Sequence, residues 1–288
     1  MTVSLAPLRT ATTGVVLITR DRRERTLDTL DHLATLPDQP PIVVVDNAST
    51  DGTADAVAAR HPSVRVLRLD TNQGAVARTL GARLLDTPYL GFSDDDSWWS
   101  PGSLSRAAGL MTRYPRLGLI AARALVGPEE REDPLNEVLA TSPLGTAADL
   151  PGPSVLGFLA CASIVRRSAF LEVGGFSPVL HFAGEETLLA IDLSAAGWGV
   201  AYVPSVIAHH HPDTGPRVGR NLRQRRNALL TTWLRRPWPV VAAETASLAG
   251  RDPEARRALL AALPKLPAAL RHRRRLPGRV EHDLTLLS

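Results

Sequence analysis

The chain has 288 residues, 44% apolar and 22% charged, a balance that excludes a wholly disordered protein, and no window approaches the ~20 uninterrupted apolar residues needed to cross a bilayer. Its net charge of +4 is carried almost entirely by arginine, Lys265 being the sole lysine; with no recognisable reading module beside those arginines, nucleic-acid binding is not expected. The single cysteine, Cys161, excludes an intrachain disulfide and a cysteine-zinc site, and the start, Met1 to Thr12, lacks the regions of a secretory signal, so a cytoplasmic protein is expected.

After a tail at 1–12, Gly14 to Thr19 and Ile42 to Asp46 are short apolar runs that read as buried parallel strands. Leu27, Leu30, Leu33 and Leu36 lie between them at helical spacing, and Ala54, Val57 and Ala58 repeat the pattern behind the start signal Ser49-Thr50-Asp51. The alternation continues through Val64 to Leu69, Ala75 to Leu85 and Tyr89 to Phe92, which predicts an α/β fold: an open, mostly parallel sheet flanked by helices. Residues 13–126 form the first half of this fold. From 127 to 153 periodicity fails and Pro, Gly, Glu and Asp accumulate, as in a long loop or lid. Residues 154–216 form a second half, with a helix expected from Glu186 to Ala196, a short strand from Gly199 to Val203, and the run His209-His210-His211 beyond it. A helical, basic extension occupies 217–288, with arginines grouped at 217, 220, 223, 225 and 226 and again at 271 and 273–275.

Ligands of open α/β sheets bind at the carboxyl ends of strands. All four such ends here are polar: Thr19-Arg20-Asp21-Arg22, Asp46-Asn47-Ala48-Ser49, Asp70 to Gly74, and Ser93-Asp94-Asp95-Asp96. The three adjacent carboxylates of the last cluster repel one another and raise their own pKa values unless something positive sits among them. A divalent cation is the simplest remedy, and hard cations bind one or two carboxylates together with diphosphate oxygens. The competing reading makes Asp96-Ser97 the cap of a helix before Pro101. Trp98 and Trp99 follow directly, as a stacking wall for a sugar or as core.

The segment Val43 to Thr53, then Asn72-Gln-Gly74, Ala77-Arg78, Phe92 to Asp96, and Gly184-Glu-Glu-Thr-Leu-Leu-Ala-Ile-Asp-Leu193 with Gly197-Trp198, closely resembles the family 2 glycosyltransferases over about residues 13 to 212. The resemblance implies a nucleotide-diphospho-sugar transferase fold, Mg²⁺ or Mn²⁺ as cofactor, a nucleotide-sugar donor, and a single displacement that inverts the anomeric centre. It makes Asp46 a contact to the base, sets Thr19 and Arg20 beside base or ribose, puts Arg78 near donor phosphates or ribose, and has Asn72 shape the turn. Arg78 would otherwise be an exposed helix arginine. Asp94 falls toward ribose and metal, Asp96 is the direct metal ligand, and Asp95 is the less defined middle residue. Glu186 aligns with the catalytic base; glutamate reaches one methylene further than the family's aspartate, so Glu185 could share or take the role, while either acid could instead merely open the helix. Of the three histidines, offset from Pro204 favours His210 for metal or diphosphate, and strand alternation keeps His209 and His211 on the opposite face. The Gln-x-x-Arg-Trp motif of processive members is absent, which fits single-sugar transfer.

A nucleotidyltransferase would open with a glycine-rich basic phosphate loop, and a dinucleotide-dependent oxidoreductase with Gly-x-Gly-x-x-Gly after the first strand; neither is present. A catalytically inactive binding module at a membrane surface is the remaining rival. The acceptor, whether glycan, lipid or small molecule, is not specified by these residues, and peripheral membrane contact through the basic tail is a further expectation.

Overall fold

The computed structural model describes residues 11–213, 215, 219–250 and 252–287. Most of the N-terminal tail and Arg217 of the first arginine group lie outside the described residues.

Strands β1 (Thr13–Thr19), β2 (Ile42–Asp46), β3 (Arg65–Arg68) and β4 (Tyr89–Asp94) are linked by helices α1 (Arg23–Ala34), α2 (Thr53–Arg60) and α3 (Val76–Arg83). After β4 come β5 (Ser97–Trp99), α4 (Ser103–Arg113), β6 (Leu117–Val126), β7 (Arg131–Glu132), α5 (Pro134–Ala140), β8 (Ser163–Arg166), α6 (Arg167–Glu172), α7 (Glu185–Ala195) and β9 (Gly199–His210). Helices α8 (Arg220–Arg235), α9 (Trp238–Gly250), α10 (Pro253–Ala262), α11 (Leu266–Arg271) and α12 (Gly278–Leu286) complete the chain.

The strands form one sheet in the order β3-β2-β1-β4-β8-β6-β9-β5, with β7 paired to β6. The first four are parallel, β8 runs antiparallel to both neighbours, and β9 returns parallel to β6. Alternation within each strand divides the core between two faces. Val15, Leu17 and Val44 pack with α1, α2 and α4, whereas Val16, Ile18, Val43 and Val45 pack with α3, α6 and α7. Because both faces are covered, β1 and β2 are continuous apolar runs, and their polar residues collect at the carboxyl ends.

Two segments differ from the sequence expectation. Where a long loop is suggested, residues 127–153 contain β7 and α5; Asp133 caps α5 with Pro134 at its first position, and Asn136 makes two bonds to the Ala124 backbone of β6. The strand expected to stop at Val203 runs on to His210. Pro204 lacks a donor, but a register shift between Ala122 and Arg123 of β6 absorbs it and the ladder resumes at Ile207.

The C-terminal helices bury a separate core of Leu229, Leu230, Trp233, Leu234, Val241 and Leu248, joined to the sheet domain through Val179, Leu180 and Leu188. Arg235 of α8 pairs with Asp192 of α7, and Arg236 with Glu281 of α12 at 2.8 Å, so several arginines of the basic extension hold helices together. Among the described residues, no helix is long and apolar enough to cross a membrane.

Candidate active site

The ends of β1, β2 and β4, the turn before α3 and the start of α7 meet on one side of the sheet. Asn47, buried just beyond β2, ties two of these loops together: its side-chain oxygen accepts from Gln73 N at 2.8 Å and its amide donates to the Gly74 carbonyl at 3.0 Å. Asn72 closes the turn by accepting from Gly74 N at 2.9 Å. Gly74 itself sits at φ +59°, and a Cβ there would collide with the ring and carbonyl of His181, whose carbonyl accepts from Ala75 N at 2.8 Å. Gly74→Ala is therefore expected to destabilise the fold by about 1–3 kcal/mol, measured as a lowered urea midpoint with unchanged slope.

Asp46 is buried, and its carboxylate accepts from Ser49 N at 2.8 Å. Thr19 is also buried; its hydroxyl meets that of Thr26 at 2.7 Å and donates to Asp95 at 3.2 Å, so it is engaged with the acidic turn. Arg20 is half exposed and pairs with Asp21 at 3.4 Å.

The three aspartates face different partners. Asp94 is pinned by Ser97, whose hydroxyl accepts from the Asp94 N–H at 2.7 Å, and its carboxylate binds Arg78. Asp95 turns inward, bonded by Thr19 and paired with Arg22 at 3.3 Å; burial, reinforced by Asp96 and Asp94 and opposed by Arg22, pushes it up to about 7. Asp96 faces His210, with Nε2 3.6 Å from the carboxylate, and its carbonyl accepts from His211 N at 2.8 Å. The residues after Asp96 form β5, paired antiparallel to β9 with Ser97 opposite His210. They are not the helix cap that the sequence also allowed: α4 starts at Ser103.

The histidine run is split by this pairing. His209 bonds Ser100 at 2.7 Å and lies near Glu130 at 3.3 Å, and both His209 and His211 pack on Trp98, which also stacks on His32 at a centroid distance of 4.0 Å. His210 faces the other way, and its Nδ1 is buried without a hydrogen-bond partner. Trp99 is core, 1% exposed, whereas Trp98 lies in this ring stack at the edge of the site.

Arg78, 1% exposed, lies at the floor of the site and is not the exposed helix arginine that the sequence left open. Besides Asp94 it approaches Glu185 at 3.8 Å, and its guanidinium lies 5.5 and 5.7 Å from the ring centroids of Phe176 and Phe182. Its Nε and Nη1, like Glu185 Oε2, are buried without hydrogen-bond partners. Glu185 is 2% exposed, and burial together with the charge of Glu186, opposed by Arg78, pushes its carboxyl up to about 8. Burial likewise holds Glu186, which is half-buried, above the usual glutamate range. Removing one member of a buried ion pair strands its partner, so Arg78→Ala is expected to cost about 3 kcal/mol, seen as a lower midpoint in chemical denaturation.

Sequence reasoning did not single out Arg22, which partners Asp95 and also binds Asp213; Asp213 in turn binds Arg25, and Arg25 donates to the His211 carbonyl at 2.6 Å. Arg22 stood in the polar cluster after β1, but its partners come from β4 and from beyond β9, which only the sheet order reveals.

Among the described residues no group of three or more metal-ligating side chains is pre-assembled. The donor set present is two carboxylates, Asp94 and Asp96, and an imidazole with an unpartnered nitrogen, His210. That fits Mg²⁺ or Mn²⁺, which complete their shells with waters and substrate phosphates.

The fold is that of the nucleotide-diphospho-sugar transferases. The mannosyltransferase PcManGT from Pyrobaculum calidifontis, solved with GDP-Man and Mn²⁺, superposes with a TM-score of 0.59 at 20% identity, covering 96% of this chain and 85% of its own. TarS 1–349 of S. aureus gives 0.62 at 15% identity, over 94% and 83%. The model of glycosyl transferase family 2 matches residues 14–174, and the chain belongs to that family. Two relatives from Mycobacterium tuberculosis are similar in sequence: an N-acetylglucosaminyl-diphospho-decaprenol L-rhamnosyltransferase, 33% identical over 59% of this chain and 66% of the relative, and a pre-mycofactocin glycosyltransferase, 32% identical over 59% and 37%. The chain thus spans less than two thirds of the curated relatives it matches.

Proposed function

We propose that the chain transfers a single hexosyl unit from a nucleoside diphosphate, a UDP- or dTDP-sugar, to an acceptor hydroxyl with inversion at the anomeric carbon. The observation that carries this reading is the meeting of Asp94, Asp96 and His210 with the Arg78–Glu185–Glu186 group at the carboxyl ends of the strands. Asp46 and the turn around Asn72 form the nucleoside side of the site, with Thr19 and Arg20 at its border. Asp94, Asp96 and His210 hold Mg²⁺ or Mn²⁺, which when bound supplies charge neutralisation on the departing diphosphate. Arg78 fixes Asp94 in place, and Asp95, held by Arg22 and Thr19, orients the turn.

Glu186 accepts the acceptor hydroxyl's proton as the oxygen attacks the anomeric carbon, and Glu185 shares that role or tunes it. Their raised pKa values suit proton transfer near neutral pH, where a base must be ionised yet still basic. Residues 13–126 serve the donor and 154–216 the acceptor, with 127–153 bordering the two. One sequence relative is named for a diphospho-decaprenol acceptor, which favours a lipid-linked glycan among the possible acceptors. A cytoplasmic location, with peripheral membrane contact from the C-terminal side, accords with such an acceptor.

Calorimetric titration of UDP, dTDP and GDP, with and without Mn²⁺, tests the donor reading. Mn²⁺-dependent binding of one uracil or thymine diphosphate is expected; binding of none of the three under any condition would overturn it in favour of an inactive binding module.

A further inference from the structure

Between Ala255 and Val280 the sequence contains seven arginines, one lysine and no carboxylate. In the structure this stretch runs as α10, a single 3₁₀ turn at Leu263–Lys265, and α11, laid along α8. One face carries small residues: Ala255, Ala262 and Ala269 are buried in the C-terminal core, and Ala258 is fully buried. The other face presents Leu260, Leu263 and Leu270, which are 64%, 46% and 47% exposed. They recur at roughly helical intervals, so they form a stripe on the side turned away from α8. Leu259 and Leu266 of the same stretch turn inward and pack against that core, so the outward turn of Leu260, Leu263 and Leu270 sets them apart.

The charge around the stripe is one-sided. Arg271, Arg274 and Arg275 are exposed at its C-terminal end. Beside them Arg273 lies 4.1 Å over the ring of Trp238, itself 60% exposed, and its guanidinium bonds the Trp233 and Arg236 carbonyls, which anchors this end of the face to α8. An apolar stripe with an exposed tryptophan and a cluster of exposed arginines at one end is the pattern of a surface that lies on an anionic bilayer, its leucines among the acyl chains and its arginines at the headgroups. A protein partner of the same shape would need an acidic rim around an apolar centre; a bilayer containing anionic phospholipid offers both along any length of the face.

We infer that the α10–α11 face is a docking surface for an anionic phospholipid membrane, independent of the reaction at the sheet. The test is sedimentation of the full chain with vesicles of phosphatidylcholine alone and of phosphatidylcholine with phosphatidylglycerol. Binding to the second only is expected. The triple variant Arg271→Ser, Arg274→Ser, Arg275→Ser should weaken it on the order of 100-fold, and the triple variant Leu260→Gln, Leu263→Gln, Leu270→Gln should also weaken it while leaving the far-ultraviolet circular dichroism unchanged. No binding to either vesicle overturns the inference, as does loss in the arginine variant with full retention in the leucine variant, which would reduce the surface to a charge effect. A concentration-dependent dimer in light scattering that the leucine variant abolishes would assign the face to a second copy of the chain instead.

Discussion

Asp96→Ala is expected to abolish Mn²⁺-dependent diphosphate binding and to lower sugar transfer by ~10³-fold or more, since roughly 4 kcal/mol of leaving-group stabilisation would be withdrawn. The side chain is 7% exposed and lies beside the His210 ring at 3.6 Å. The contact that holds the turn, from His211 N to the Asp96 carbonyl, uses the main chain and survives the substitution. Folding should therefore be retained, which an unchanged thermal midpoint would verify, and a loss of binding would report on the ligand set itself. Asp95→Ala makes the contrast: Asp95 turns to Thr19 and Arg22, so its removal should disturb stability before it disturbs metal dependence. Equal loss of metal-dependent binding in both variants would contradict the division of roles between the aspartates.

Glu186→Gln is expected to lower kcat by ~10²–10⁴-fold while leaving donor affinity close to that of the unaltered protein, because a general base acts on the acceptor hydroxyl and not on the diphosphate. The pH profile carries a second signature. A base must be ionised, and burial holds both carboxyls of the pair above the ordinary glutamate range, Glu185 at about 8. In the unaltered protein kcat/KM should therefore go on climbing with pH beyond the range in which a solvated glutamate would already give a flat profile. The Glu186→Gln variant should lose this climb along with the rate. If Glu185→Gln instead shows the larger loss in kcat, the base is Glu185 and Glu186 is the tuning member; if neither variant slows transfer, the pair is not the catalytic base.

The first half of the sheet was readable because its physics is local. β1 and β2 are buried on both faces, so each is an uninterrupted apolar run closed by its own polar cluster, and the leucine spacing of α1 needs no partner to be recognised. Other features depend on what the sheet brings together. The sequence reads as a short strand ending at Val203, and only the paired β6 shows how a bulge carries the ladder past Pro204 to His210. The composition of 127–153 reads as loop, yet a two-residue signal, Asp133-Pro134, opens a helix there. The Arg78–Asp94 ion pair joins the helix after β3 to the end of β4, and Arg22 reaches Asp95 from the start of α1; these are neighbours only because β1 lies between β2 and β4. Residue types at the site were thus legible, while their partners were not.

The antiparallel pairing of β5 with β9 has a consequence for how such a site can change. It sets Ser97 against His210 by main-chain register, and the carbonyl of Asp96 is held by the next backbone amide along β9. The spacing of the acidic and imidazole groups is therefore an attribute of two short stretches of backbone, set apart from the loop side chains that lie between them in sequence. Loops between β6 and α7 could be exchanged or lengthened without retuning that spacing, provided the two stretches still meet in register and β6 keeps its pairing with β9. A one-residue slip in either would turn His210 away from Asp96, so an insertion within this ladder should cost more than one in the loops between β6 and α7.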